Sequence, residues 1–93
     1  MVDDIEGVRR GNVVAFSTMK DGIEVLVVAA EGNSGDAARL REEITKSVSE
    51  NFGLTPNSVA ICPVGALPKT SSGKAQRRKT KTMWESGELE AHP

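Results

Sequence analysis

Apolar and polar positions divide the chain into three short β-branched runs, one long helical stripe and a basic tail region. Asn12 to Thr18 (N-V-V-A-F-S-T) and Ile23 to Ala30 (I-E-V-L-V-V-A-A) have strand composition, with Met19-Lys20-Asp21-Gly22 between them. Asp-Gly between two such runs predicts a β-hairpin, because these residues tolerate the positive φ angles of a tight turn. After the polar, glycine-bearing stretch Glu31 to Gly35, residues Ala37, Leu40, Ile44, Val48 and Phe52 recur at steps of three or four. That spacing predicts a helix over about Asp36 to Phe52 with this stripe as its core face. Ser34 or Asp36 is placed to cap its start, and Gly53 suits the left-handed conformation that often ends a helix.

Thr55-Pro56-Asn57 turns the chain, and Ser58 to Val64 (S-V-A-I-C-P-V) reads as a third strand joining the hairpin. Pro63, which lacks a backbone donor, puts that strand's end at an edge or outside the ladder. The turn-forming segment Leu67 to Lys74 then leads into Ala75 to Ser86, which contains good helix formers and stops at Gly87. The order is ββαβα. It predicts an α+β fold in which helices cover one face of a small sheet. Met1 to Gly11 is polar and reads as a terminal approach segment. The last helix offers few apolar groups beyond Ala75, Met83 and Trp84, so it is expected to dock only narrowly.

The 93 residues fit one domain, and a formal net charge of −1 conveys nothing about partners. Its distribution is more informative: Lys69, Lys74, Arg77, Arg78, Lys79 and Lys81 fall in a stretch without a single acid. Cys62 is the only cysteine, which excludes an internal disulfide and a cysteine-rich zinc site, and it reads as a small buried hydrophobe. His92, the only histidine, falls in a tail expected to fray, leaving Cys62 without a catalytic base. No apolar run approaches membrane-spanning length and no basic-then-apolar leader is seen, so a cytoplasmic setting is expected.

Chemistry concentrates in Leu67-Pro68-Lys69-Thr70-Ser71-Ser72-Gly73-Lys74. Gly73 permits torsions closed to other residues, Ser71 and Ser72 supply hydroxyls and N–H groups, and a helix starting at Ala75 would set its positive end beside the Lys74 ammonium. Such a site favours an anion. It is not a P-loop, because Gly65 lies too far back and Ala75 replaces the hydroxyl residue that would meet magnesium. A loop lysine of this kind instead acts as a point charge delivered into a site built by another domain. Lys69, five residues earlier, is expected to be structural or solvated.

This segment, with Arg77 and Arg78 behind it, resembles the L-P-K-T-x-S-G-K-x-x-R-R motif near the C-terminus of the adenylate-forming superfamily. That superfamily includes acyl-CoA synthetases, fatty-acyl-AMP ligases, luciferases and the adenylation domains of peptide synthetases. The resemblance covers nearly the whole chain and implies the small, mobile C-terminal domain of such an enzyme, with the large ATP- and acyl-binding domain outside this sequence. It implies that Lys74 is catalytic in adenylation, that Thr70, Ser71, Ser72 and Gly73 form its nucleotide loop, and that ATP and Mg2+ are bound mainly by the large domain. No metal ligand is expected here, and the isolated domain is expected to be an inactive monomer.

The stretch Arg77 to Leu89 (R-R-K-T-K-T-M-W-E-S-G-E-L) is similar to the tail of fatty-acyl-AMP ligases. That similarity implies activation of a fatty acid and transfer to an acyl carrier protein in lipid or polyketide assembly, with a coenzyme A-dependent synthetase as the alternative. Arg77, Arg78, Lys79, Lys81 and Trp84 become candidate contacts to the carrier or the large domain. A compact basic run also fits a non-enzymatic module that binds an acidic partner; nucleic acid is not expected, because no aromatic residue interleaves the charges before Trp84.

Overall fold

The computed structural model describes residues 12–92. The approach segment expected over residues 1–11 lies outside the described residues. Strands β1 (Val13–Lys20) and β2 (Ile23–Glu31) pair antiparallel through Lys20↔Ile23, leaving a turn of only Asp21 and Gly22. Both turn residues have positive φ, 52° and 80°, which the Asp-Gly pair accommodates. A single 3₁₀ turn at Ser34–Asp36 leads into helix α1 (Ala37–Phe52), which crosses over to β3 (Ser58–Cys62). Helix α2 (Arg77–Ser86) follows.

The three strands form one mixed sheet in the order β1-β2-β3, with β3 parallel to β2. The predicted ββαβα order and α+β class hold, but the helices do not share a face. Helix α1 buries Leu40, Ile44 and Val48 against Val28, Ala30 and Ile61 on one side of the sheet. On the other side Val14, Ala29, Ala60, Cys62 and Leu67 form a second core, to which Ala75, Trp84 and Leu89 pack from the α2 side. Neighbouring residues of a strand point to opposite faces, so the unbroken buried run Val27 to Glu31 requires cover on both.

Several local expectations need correction. Phe52, assigned to the core stripe, is 54% exposed, whereas Ala37, Leu40, Ile44 and Val48 are buried as expected. Neither Ser34 nor Asp36 makes a side-chain cap; Asp36 pairs instead with Arg39 at 3.6 Å. Gly53 does end α1 in the left-handed conformation, donating to Ser49 O. Helix α2 starts at Arg77 rather than Ala75, and Gly87 ends it with left-handed torsions.

The tail near His92 is also tied down. Its N–H donates to Ile61 O at 2.8 Å, and its ring Nε2 lies 3.0 Å from Gly32 O. These bonds cover part of the free edge of β3, which would otherwise offer unpaired backbone groups. Cys62 is fully buried, and that burial, with the charges of Glu31 and Glu90, pushes its thiol up to about 11. It is held protonated, as suits a packing residue.

Candidate functional site

Lys74 stands on a second, smaller hairpin that follows β3. Lys69 and Ala75 form an antiparallel bridge at its base, and Gln76 N–H donates to Pro68 O just beyond. Within the loop, Thr70 N–H donates to Lys74 O at 2.8 Å and Gly73 N–H to Thr70 O at 2.9 Å. The Thr70 hydroxyl oxygen accepts from Lys74 N–H at 3.2 Å and lies 3.0 Å from the Ser72 hydroxyl. Gly73 takes φ +87°, a conformation that side chains disfavour.

The expectation of a turn segment running straight into a helix at Ala75 is therefore corrected. The loop is closed by its own hydrogen bonds, and Ala75 and Gln76 separate Lys74 from α2. Thr70, Ser71, Ser72, Gly73 and Lys74 are all exposed. Among the described residues the Lys74 ammonium has no ion-pair or hydrogen-bond partner. The tip thus presents one cation, hydroxyls and a turn backbone, a donor set suited to anionic oxygens.

Lys69 sits on the opposite leg and has a structural partner. Its Nζ lies 2.5 Å from Oε2 of Glu31, a carboxylate with no solvent exposure at the end of β2. The same oxygen accepts from Leu67 N–H at 3.1 Å, and Lys69 Nζ also donates to Leu67 O at 3.2 Å. Burial raises the affinity of the Glu31 carboxyl for a proton. The Lys69 hydrogen bond, the Gly65 and Leu67 N–H groups and the Lys69 charge outweigh burial and hold it below its ordinary range. Oε1 is buried without a hydrogen-bond partner among the described residues.

Sequence reasoning missed Glu31. The available signal was an acid closing the apolar run Val25 to Ala30, where a charge is buried only if paired.

Helix α2 carries Arg77, Arg78 and Lys79 in its exposed first turn, with Lys81 half-buried behind them. None of these four has an ion-pair partner among the described residues. Cations at a helix N-terminus oppose the macrodipole, so the arrangement concentrates positive potential at the expense of helix stability. Arg77, Arg78 and Lys81 line an open groove of about 750 Å³ whose other wall is Ala15, Phe16 and Ser17 of β1 and Leu26 of β2. Trp84 is half-buried and meets Phe16 edge-on, so it belongs to the second core as well as to the surface.

No group of three or more His, Cys, Asp or Glu side chains able to hold a metal occurs among the described residues. None of the helices there is long and apolar enough to cross a membrane.

Comparison with known proteins points in one direction. A family profile described as "Disco-interacting protein 2-like, AMP domain" matches residues 3–93. The long-chain-fatty-acid–AMP ligase FadD23 of Mycobacterium tuberculosis is 31% identical over 104 aligned positions, covering 98% of this chain and 18% of the ligase. The acetyl-coenzyme A synthetase of Chlorobaculum tepidum is 36% identical over 87 positions, covering 94% of this chain and 11% of the synthetase. The chain thus spans under one fifth of the length of either relative. Among solved structures, McyG A-PCP complexed with phenylalanyl-adenylate superimposes with a TM-score of 0.85 at 26% identity, covering 92% of this chain and 16% of that one. These similarities favour a fragment of an adenylate-forming enzyme over a free-standing basic-helix module.

Proposed function

Because the chain belongs to the Disco-interacting protein 2-like AMP-domain family of adenylate-forming enzymes, we propose that it is the mobile C-terminal domain of a fatty-acyl-AMP ligase. In this reading a larger N-terminal domain holds ATP, Mg2+ and the fatty acid, and this domain swings Lys74 into their site. The observation that carries the reading is the exposed Lys74 ammonium, without a partner among the described residues, on a hydrogen-bonded hairpin.

The chemistry explains why such a lysine is needed. A fatty-acid carboxylate oxygen attacks the α-phosphorus of ATP, forming the acyl–phosphate bond. The bond from that phosphorus to the bridging oxygen breaks, and pyrophosphate leaves with the electron pair. Attack brings an anion toward an anion, and negative charge builds on the α-phosphate oxygens. An ammonium placed there lowers the barrier by an amount comparable to one oxyanion-hole donor, about 10²–10³-fold in rate.

The exposed Lys74 ammonium and the hydroxyls of the hairpin tip fit phosphate and carboxylate oxygens. In this reading Mg2+ is held with the nucleotide in the large domain. After adenylation the domain rotates, Lys74 withdraws, and a thiol attacks the acyl carbonyl to release AMP.

For the acceptor we favour the phosphopantetheine thiol of an acyl carrier protein. The Arg77-to-Leu89 tail resembles fatty-acyl-AMP ligases, and the cations Arg77, Arg78, Lys79 and Lys81, unpaired among the described residues, suit an acidic carrier or the large domain. Coenzyme A remains the second reading, since a coenzyme A synthetase is also a relative.

The test is Lys74→Ala in the parent ligase, with acyl-AMP formation and acyl transfer from supplied acyl-AMP assayed separately. The expected outcome is a loss of about 10²–10³-fold confined to the first step. Equal loss of both steps in a folded enzyme, or no loss, overturns the role of Lys74. Supplying holo-carrier and coenzyme A in parallel to the wild type decides the acceptor.

A further inference from the structure

We propose that the buried Glu31–Lys69 pair is the positioning device that aims the Lys74 hairpin, so that Glu31 governs adenylation without touching substrate. The inference rests on the reading of Lys74 given above. It starts from where Glu31 is anchored. Its backbone N–H donates to Asn12 O at 3.1 Å, and the N–H of Gly32 donates to Cys62 O at 3.0 Å, so the end of β2 is held from both sides. The Glu31 side chain is therefore a fixed point of the sheet rather than a mobile carboxylate.

From that point one oxygen, Oε2, accepts from both Leu67 N–H and Lys69 Nζ, which grips the chain just before the hairpin and at its base. Lys69 is bridged to Ala75, the residue after Lys74, and Thr70 N–H donates to Lys74 O. The bridge between Lys69 and Ala75 is closed by the flanking bonds from Gln76 N–H to Pro68 O and from Thr70 N–H to Lys74 O, so the path from Glu31 to the Lys74 backbone crosses two directional contacts, Glu31 to Lys69 and Thr70 to Lys74.

A stability role alone does not account for the pair. Burying two opposite charges gains little net free energy, and apolar residues of similar volume often serve as well or better. What a directional, doubly bonded carboxylate adds is orientation. Misplacing a catalytic group by about 1 Å is enough to cost about 10²-fold in rate, so orientation of the hairpin matters most in the step that uses Lys74. In the transfer step Lys74 is withdrawn, and the aim of the hairpin is irrelevant.

The experiment separates positioning from folding. In the parent ligase, Glu31→Gln, Lys69→Met and the apolar double variant Glu31→Leu/Lys69→Met are compared with wild type, with Lys74→Ala run alongside. Acyl-AMP formation and transfer from supplied acyl-AMP are measured separately, together with the melting temperature. Each pair variant is expected to lose about 10–100-fold in kcat for acyl-AMP formation, with KM for ATP and transfer changed less than about threefold. The double variant is expected to regain the melting temperature lost by the single variants while adenylation stays low. Lys69→Arg, which keeps a cation opposite Glu31, is expected to restore part of the adenylation rate.

A double variant that adenylates at the wild-type rate, or loss of both half-reactions in parallel, overturns the positioning role. If Lys74→Ala abolishes adenylation while the pair variants do not, only this inference falls. If Lys74→Ala itself is without effect, the reading of Lys74 falls and takes the inference with it.

Discussion

Trp84 of α2 meets Phe16 of β1 edge-on, with ring centroids 6.5 Å apart and ring planes at 63°. This is the main aromatic tie between α2 and the sheet, because α2 itself is mostly polar and buries only Thr80 fully. Beside it the Thr18 hydroxyl donates to Glu85 Oε2 at 2.6 Å. Together these contacts hold α2, with its cluster of cations, against β1.

Trp84→Ala is therefore expected to destabilise the domain by about 2–3 kcal/mol, below the full cost of a core aromatic because the ring is half-buried. Trp84→Phe, which keeps an edge-on partner for Phe16, is expected to cost about 1 kcal/mol. Urea denaturation followed by circular dichroism measures both. As Trp84 is the only tryptophan, its fluorescence in the wild type reports undocking of α2 directly. An unchanged urea midpoint for Trp84→Ala would show that the ring does not hold the helix.

Local signals in the sequence carried most of the fold. The Asp21-Gly22 turn, the stripe through Leu40, Ile44 and Val48, and the glycine stops at Gly53 and Gly87 depend on residues close together in the chain. Side-chain contacts across the fold were not legible in the same way. Glu31 and Lys69 are 38 positions apart, and only the folded sheet brings them together. The same holds for His92, whose bonds reach Ile61 and Gly32, the latter 60 positions away, only in the folded chain. Placing both helices on one face overlooked a legible clue, since an apolar run as continuous as Val25 to Ala30 belongs to a strand covered on both sides. In the candidate site, the motif identified Lys74 and its loop, but the bonds by which Thr70 closes that loop were not legible from composition.

The stripe on α1 makes a sharp stability comparison. Ile44 has no solvent exposure, whereas Phe52, two turns on along the same spacing, is 54% exposed. Ile44→Ala is expected to cost about 2–5 kcal/mol, and Phe52→Ser less than about 1 kcal/mol. Denaturation midpoints of the two variants decide the matter, and similar losses in both would place Phe52 in the core after all.

The Glu31 carboxyl predicts the acid limb of stability. Burial favours its neutral form, but Lys69 and the Gly65 and Leu67 N–H groups hold its pKa below the ordinary value of 4.5. The unfolded chain therefore takes up a proton at this site before the folded chain does. As pH falls below the ordinary value, protons bind the unfolded state preferentially, and the stabilisation is lost as pH drops through the lowered folded value. Above the ordinary value the contribution is complete and independent of pH. Glu31→Gln removes the titrating group and leaves Lys69 facing a neutral amide, so at about pH 7 it is expected to cost about 2 kcal/mol or more. Urea denaturation over a series from about pH 7 to pH 3 should show the wild-type and Glu31→Gln curves converging at the acid end, because protonation of the wild type abolishes the same interaction. Curves that stay parallel over the whole series would mean that the Glu31 carboxyl binds its proton equally in the folded and unfolded chains, which would remove the linkage argued here.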